Sequence, residues 1–151
     1  MKILTINPNQ TQKAAEVLAK EIINSSPRKK AFVLALEGDL GGGKTTFLQG
    51  FAKGLGLKDK ILSPTFVLMK RFAIKNKKNY KEFYHFDCYR IENPKEILNL
   101  GFRKIISSPY NIVAIEWADR IKSILPKDTL ILKFEFINKK IRKIWLKEKI
   151  V

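Results

Sequence analysis

Cysteine occurs once, at Cys88, and histidine once, at His85. A single thiol excludes an intramolecular disulfide and a cysteine-built metal cluster. No apolar run approaches the ~18 residues a membrane helix needs. The start of the chain, MKILTINPNQTQ, lacks the apolar core and small-residue cleavage site of a secretory signal. A cytoplasmic protein with no membrane contact is therefore expected. Internal repeats and low-complexity linkers are also missing. At 151 residues the chain is long enough for one buried core and short for two, so 1–151 is expected to be a single domain. Acidic residues are scarce, with 14 Asp and Glu against 30 Lys and Arg, leaving a formal charge of +16. Such an excess fits either a groove for nucleic acid or a merely basic solvated surface. The spread of lysines along the chain favours the second.

What the chain does have is concentrated in residues 31–56. Positions 31–36 have the length and apolar content of a buried strand. Positions 44–55 carry Phe47, Leu48, Phe51, Ala52 and Leu55 at helical spacing. Between them, Gly38-Asp39-Leu40-Gly41-Gly42-Gly43-Lys44-Thr45 fits G-x-x-x-x-G-K-[ST] in the strand, loop, helix context that a P-loop requires. A polyphosphate has to be wrapped by main-chain N–H groups, here from Leu40 onward, and side chains on the loop would hold the backbone away. Gly41, Gly42 and Gly43 remove that obstacle. The N-terminus of the following helix aims its dipole and N–H groups at the same anion. Lys44 is expected to reach the β- and γ-phosphates, Thr45 to offer a hydroxyl to Mg²⁺, and Thr46 to make a further phosphate contact.

The remaining segments supply candidates for the same site. Positions 1–6 suggest a short edge strand, and 11–23 an amphipathic helix capped by Asn9 or Thr11. In Ser63-Pro64-Thr65-Phe66, Thr65 fits either a switch element near Mg²⁺ and the γ-phosphate or a plain turn entering a strand. Positions 66–74 and 81–89 read as an antiparallel hairpin. Alternation along its second strand puts His85 and Asp87 on one face and Tyr84, Phe86 and Cys88 on the other. Asp87 would order a Mg²⁺-bound or attacking water if that strand end lies beside the P-loop. Otherwise it is a solvated strand-end carboxylate, and His85 reads as structural. A short helix is expected over 95–100, ended by Gly101. Positions 111–117, NIVAIEW, form a second buried strand with Glu116 at its carboxyl end, where an NTPase places the acid that holds the Mg²⁺ shell. A helix over 118–125 and a hairpin of 129–138 with 140–149 complete the chain. The expected fold class is α/β, a single P-loop NTPase-like domain with a mixed, mainly parallel central sheet flanked by helices and antiparallel hairpins.

The order GDLGGGKTTF (38–47), SPTF (63–66), HFDCYR (85–90), Leu100-Gly101, IEW (115–117) and Leu125-Pro126 resembles the TsaE or YjeE family, small bacterial P-loop ATPases of threonylcarbamoyladenosine tRNA modification. The resemblance covers most of the chain. It implies ATP binding and slow hydrolysis, with Lys44, Asp87 and Glu116 at the chemistry and Mg²⁺ held by Thr45 and Glu116. It also implies that Thr11 and Lys140 wall the adenine pocket. Lys139-Lys140 stands where the family usually has Gly-Arg, Gly42 where it has alanine or serine, and Cys88 where it has leucine. The implied partners are TsaB- and TsaD-like subunits of the threonylcarbamoyl-transfer complex, with tRNA met indirectly or weakly. The nucleotide state would control attachment to that complex. A small-molecule kinase on the same fold is the alternative enzyme, but the arginines that a lid would bring to the phosphate (Arg71, Arg90, Arg103, Arg120, Arg142) are not clustered. A basic nucleic-acid-binding module, resting on charge alone, is the alternative of another class.

Overall fold

In the computed structural model, β2 (Phe32–Gly38) is buried from Phe32 to Leu36 and hydrogen-bonds to a parallel neighbour on each side. A strand flanked and covered in this way has no solvent face, which is why its sequence is a continuous apolar run. Its side chains still alternate between two cores. Phe32, Leu34 and Leu36 join the cluster under the long helices, while Val33 and Ala35 join the cluster on the opposite face. The structure describes residues 1–38, 43–58, 61, 67–75 and 77–148. Leu40, Gly41, Gly42 and Thr65, together with the rest of 63–66, lie outside the described residues.

The other elements are β1 (Lys2–Thr5), α1 (Pro8–Asn24), α2 (Lys44–Gly54), β3 (Met69–Ala73) and β4 (Glu82–Asp87). These are followed by α3 (Lys95–Leu98), α4 (Phe102–Ser107), β5 (Asn111–Glu116), a 3₁₀ segment (Ala118–Ile124), β6 (Leu130–Phe136) and β7 (Arg142–Glu148). One seven-stranded sheet runs in the order β1-β7-β6-β2-β5-β4-β3. Its centre, β6-β2-β5-β4, is parallel, and the β3–β4, β6–β7 and β1–β7 pairs are antiparallel. The mixed sheet, the edge position of β1 and both hairpins match the sequence-based expectation.

Helices α1 and α2 cover one face, meeting where Gly50 and Gly54 allow close approach. The opposite face carries Phe102 of α4 and Ala118 and Ile121 of the 3₁₀ segment. Three local expectations are corrected. The first helix starts earlier, at Pro8, and its cap is Asn7, whose Oδ1 accepts from Gln10 N at 2.9 Å. Residues 118–124 form a 3₁₀ segment broken at Ile121 (φ −124°) rather than one α-helix. Gly101 ends the turn after α3, and with φ +83° it also opens α4, for which the sequence carries no polar cap signal. Among the described residues, no helix is long and apolar enough to cross a membrane.

Candidate functional site

The parallel register brings the carboxyl ends of β2, β5 and β4 to the N-terminus of α2. Gly38 closes β2 with φ +131°, and a Cβ there would sit 2.2 Å from Phe134 O, so this turn tolerates only glycine. Gly43, at φ +98°, precedes Lys44, the first residue of α2. Lys44 is 5% exposed. Its Nζ donates to Gly38 O at 2.7 Å and lies 4.4 Å from the centre of the Trp117 ring. The lysine thus ties the start of α2 back to the end of β2 and rests on an aromatic face.

Asp87 and Glu116 end adjacent parallel strands as direct register partners, and each is nearly buried. Side-chain alternation puts His85, Asp87 and Glu116 on the face that α2 covers. Glu116 Oε1 accepts from Thr45 Oγ1 at 3.4 Å, and Oε2 lies 2.8 Å from His85 Nε2. Asp87 Oδ1 accepts from Tyr89 N at 3.0 Å. Burial pushes the Asp87 carboxyl above its ordinary range. The Tyr89 N–H opposes that shift, and the neighbouring Glu116 charge adds to it. Trp117 follows with φ 57°, the one non-glycine among the described residues with positive φ. This uncommon backbone conformation turns its indole under Lys44 and 5.0 Å from the Tyr89 ring.

A narrow cleft on the other side of α2 is lined by Pro8, Thr11, Gly43, Thr46, Lys140 and Arg142. Thr11 Oγ1 is fixed against Thr5 Oγ1 at 2.7 Å in a buried pair. The structure therefore gathers the sequence-predicted residues into two adjoining groups. Lys44, Thr45, Asp87 and Glu116 form one, and Thr11, Gly43, Thr46 and Lys140 the other. Three contributors were given no role at this site from sequence: His85, read as structural, Trp117, quoted only within IEW, and Arg142, named only among the unclustered arginines. Arg142 Cγ lies 3.4 Å from where a Gly43 Cβ would stand, and its guanidinium donates to Asn138 O, Ile141 O and Lys139 O. In a lysine-rich hairpin nothing in the sequence marked it out.

The family model described as Threonylcarbamoyl adenosine biosynthesis protein TsaE matches residues 5–144. The chain belongs to the TsaE family. Proteins named tRNA threonylcarbamoyladenosine biosynthesis protein TsaE are similar to it across most of both chains. The Haemophilus influenzae relative is 34% identical, over 78% of this chain and 72% of that protein. The Bacillus subtilis relative is 37% identical, over 86% and 74%. The Borreliella burgdorferi relative is 38% identical, over 79% and 88%. The crystal structure of Bacillus subtilis YdiB aligns with a TM-score of 0.73 at 30% identity, covering 99% of this chain and 85% of that one. The family read from the motifs and the P-loop NTPase-like α/β fold are both borne out.

Proposed function

We propose that this TsaE-family chain is a Mg²⁺-dependent, slowly hydrolysing ATPase required for the N6-threonylcarbamoyladenosine modification of tRNA. In this reading it acts in the cytoplasm as an accessory subunit, and its nucleotide state controls attachment to TsaB- and TsaD-like partners. The observation that carries it is the bridge from Thr45, in the first turn of α2, to Glu116 at the end of β5, with Asp87 in register beside it. A hydroxyl next to a carboxylate is a hard-oxygen pair that fits Mg²⁺. Among the described residues, no three His, Cys, Asp or Glu side chains form a closed metal nest. Thr45 and Glu116, the latter through water, would hold Mg²⁺, which when bound neutralises charge on the β- and γ-phosphate oxygens.

The chain's own groups divide the remaining work. Lys44 is the cation that faces the phosphates, held ready by Gly38 O and the Trp117 ring. The N-terminus of α2 adds main-chain N–H groups and its dipole. Asp87 orients the attacking water, and its raised proton affinity suits it to accept a hydrogen bond or a proton. Thr11, Thr46 and Lys140, with Arg142, bound the cleft proposed for the adenosine end.

Calorimetric titration of a non-hydrolysable ATP analogue, with Mg²⁺ and with a chelator, tests the nucleotide site. Binding is expected to require Mg²⁺ and to fall about tenfold or more in Lys44→Ala and in Thr45→Ala, each of which loses a charge-assisted contact. Unchanged binding in both folded variants would remove the ATPase reading. Phosphate release is expected to rise when purified TsaB- and TsaD-like subunits are added. Equal affinity of those subunits for the ATP-analogue and ADP forms would remove the switch and leave the ATPase standing.

A further inference from the structure

At the amino ends of the parallel strands, away from the nucleotide site, lies a groove of about 670 Å³ whose rim carries Lys29, Lys30, Arg103 and Lys127. These four come from three separate places in the chain. Lys29 and Lys30 lead into β2, Arg103 lies on α4, and Lys127 precedes β6. They converge because Ala31 N donates to Ile106 O at 3.0 Å, tying the approach to β2 to the helix that carries Arg103. All four side chains are exposed, and none makes an ion pair among the described residues. Asp128 is the one acid among the described residues lining the groove. It is already engaged, since Arg28 Nη1 lies 3.5 Å from its Oδ2 and donates to its main-chain O at 3.1 Å. Between the cations the floor is Ile106, Ile124 and Leu125, with the Ser123 hydroxyl at its edge.

We infer that this groove is a docking site for the phosphate backbone of RNA, distinct from the nucleotide site. Unpaired cations spread around an open groove cannot converge on one small anion, but they match a chain of phosphates. Three of the four are lysines, which act as mobile point charges and read no sequence. Selective capture of carboxylates would be better served by paired guanidinium forks. The apolar floor lets ribose and base faces approach without burying an unpaired polar group. Seven residues of β2 separate Lys30 from the P-loop, roughly 20 Å at the rise of a strand, so RNA and nucleotide can be held together. Choosing tRNA as the ligand rests on the proposed function; the groove's affinity for phosphate backbones does not.

The test compares two full-length variants with equal charge loss. One is Lys29→Gln, Lys30→Gln, Arg103→Gln and Lys127→Gln. The other changes four exposed lysines elsewhere: Lys53→Gln, Lys58→Gln, Lys75→Gln and Lys78→Gln. Binding of an unmodified tRNA transcript and of an unrelated RNA hairpin is measured against salt concentration. The groove variant is expected to bind both RNAs about tenfold or more weakly, with the log–log salt slope reduced by about three. The other variant is expected to stay within about threefold of the parent protein. Both should bind the ATP analogue as the parent does, so that loss of the nucleotide reading is scored separately. Equal weakening of the two variants would overturn the groove, as would undetectable RNA binding by the parent at low salt. If poly-glutamate displaces RNA from the groove at equal charge concentration, the site belongs to an acidic protein and the RNA assignment fails.

Discussion

His85 and Glu116 face each other across the β4–β5 pair, Nε2 to Oε2 at 2.8 Å, with both side chains almost wholly out of solvent. His85 is the register partner of Ala114, so its ring reaches diagonally past a methyl group to the carboxylate two residues further on. That contact leaves Oε1 for Thr45. The histidine therefore holds Glu116 in place, and any part it has in the proposed site is as a positioning residue.

His85→Ala should cost about 2 kcal/mol or more, because Glu116 would stay buried with one of its partners gone. Beyond stability, the Mg²⁺ concentration needed for nucleotide binding should rise. His85→Gln, whose amide can present a donor near the same place, should recover most of both effects. Thermal melts and Mg²⁺ titrations of the two variants decide it. A His85→Ala protein that melts and titrates like the parent would show that Glu116 needs no such support.

Helix α2 lies so close to α1 that a Cβ on Gly50 would fall 2.2 Å from Gln12 O and 2.6 Å from Gln12 Cα. Alanine would ordinarily favour a helix interior by about 1 kcal/mol. Here the obstacle is backbone, and the two helices would have to part. Gly50→Ala is therefore expected to destabilise by about 1–3 kcal/mol net, read as a lower midpoint in thermal or urea unfolding. A raised midpoint would contradict this helix contact.

What could be read from the sequence was what depends on local order. The strand, loop, helix succession around Lys44 needs only neighbouring residues, and Glu116 became a candidate by the rule that ligands gather at strand carboxyl ends. Asp87 needed one tertiary fact, that β4 lies beside β5 in parallel, and alternation then placed it on the correct face. His85 and Arg142 were out of reach because each takes its role from a partner across the sheet or the loop. Helix α4 was missed because it begins at a left-handed glycine without a capping side chain, a geometry that reads equally well as the end of α3.

Cys88 is fully buried, and burial pushes its thiol up to about 12, with the Asp87 and Asp119 charges adding to the shift. The thiolate is the reactive form, so at pH 8 the native protein should resist a disulfide-exchange reagent. One equivalent of thiol should appear when the chain is unfolded in guanidinium. Rapid labelling of the native protein would mean that the second core cluster opens far more readily than its packing implies.

Asp87 should show the tension between site and fold. Its carboxyl is raised mainly by burial, so the folded state holds the proton more tightly than the unfolded chain does. Where both states are ionised, the folded protein carries the desolvation cost of the charge. As pH falls through the raised folded value toward the usual carboxylate range, the folded state takes up its proton first and gains relative stability. Asp87→Asn removes the charge while keeping an oxygen to accept from Tyr89 N. The variant is therefore expected to melt at the same temperature as the parent or higher at pH 7, with the difference shrinking or reversing at an acidic pH in the usual carboxylate range. Its phosphate release should fall about tenfold or more while ATP-analogue binding is largely kept, since the neutral amide cannot take a proton from water. Melting curves at the two pH values and single-turnover hydrolysis are the measurements. A variant less stable than the parent at pH 7 would show that the Asp87 charge helps to hold the fold, and unchanged hydrolysis would remove Asp87 from the chemistry.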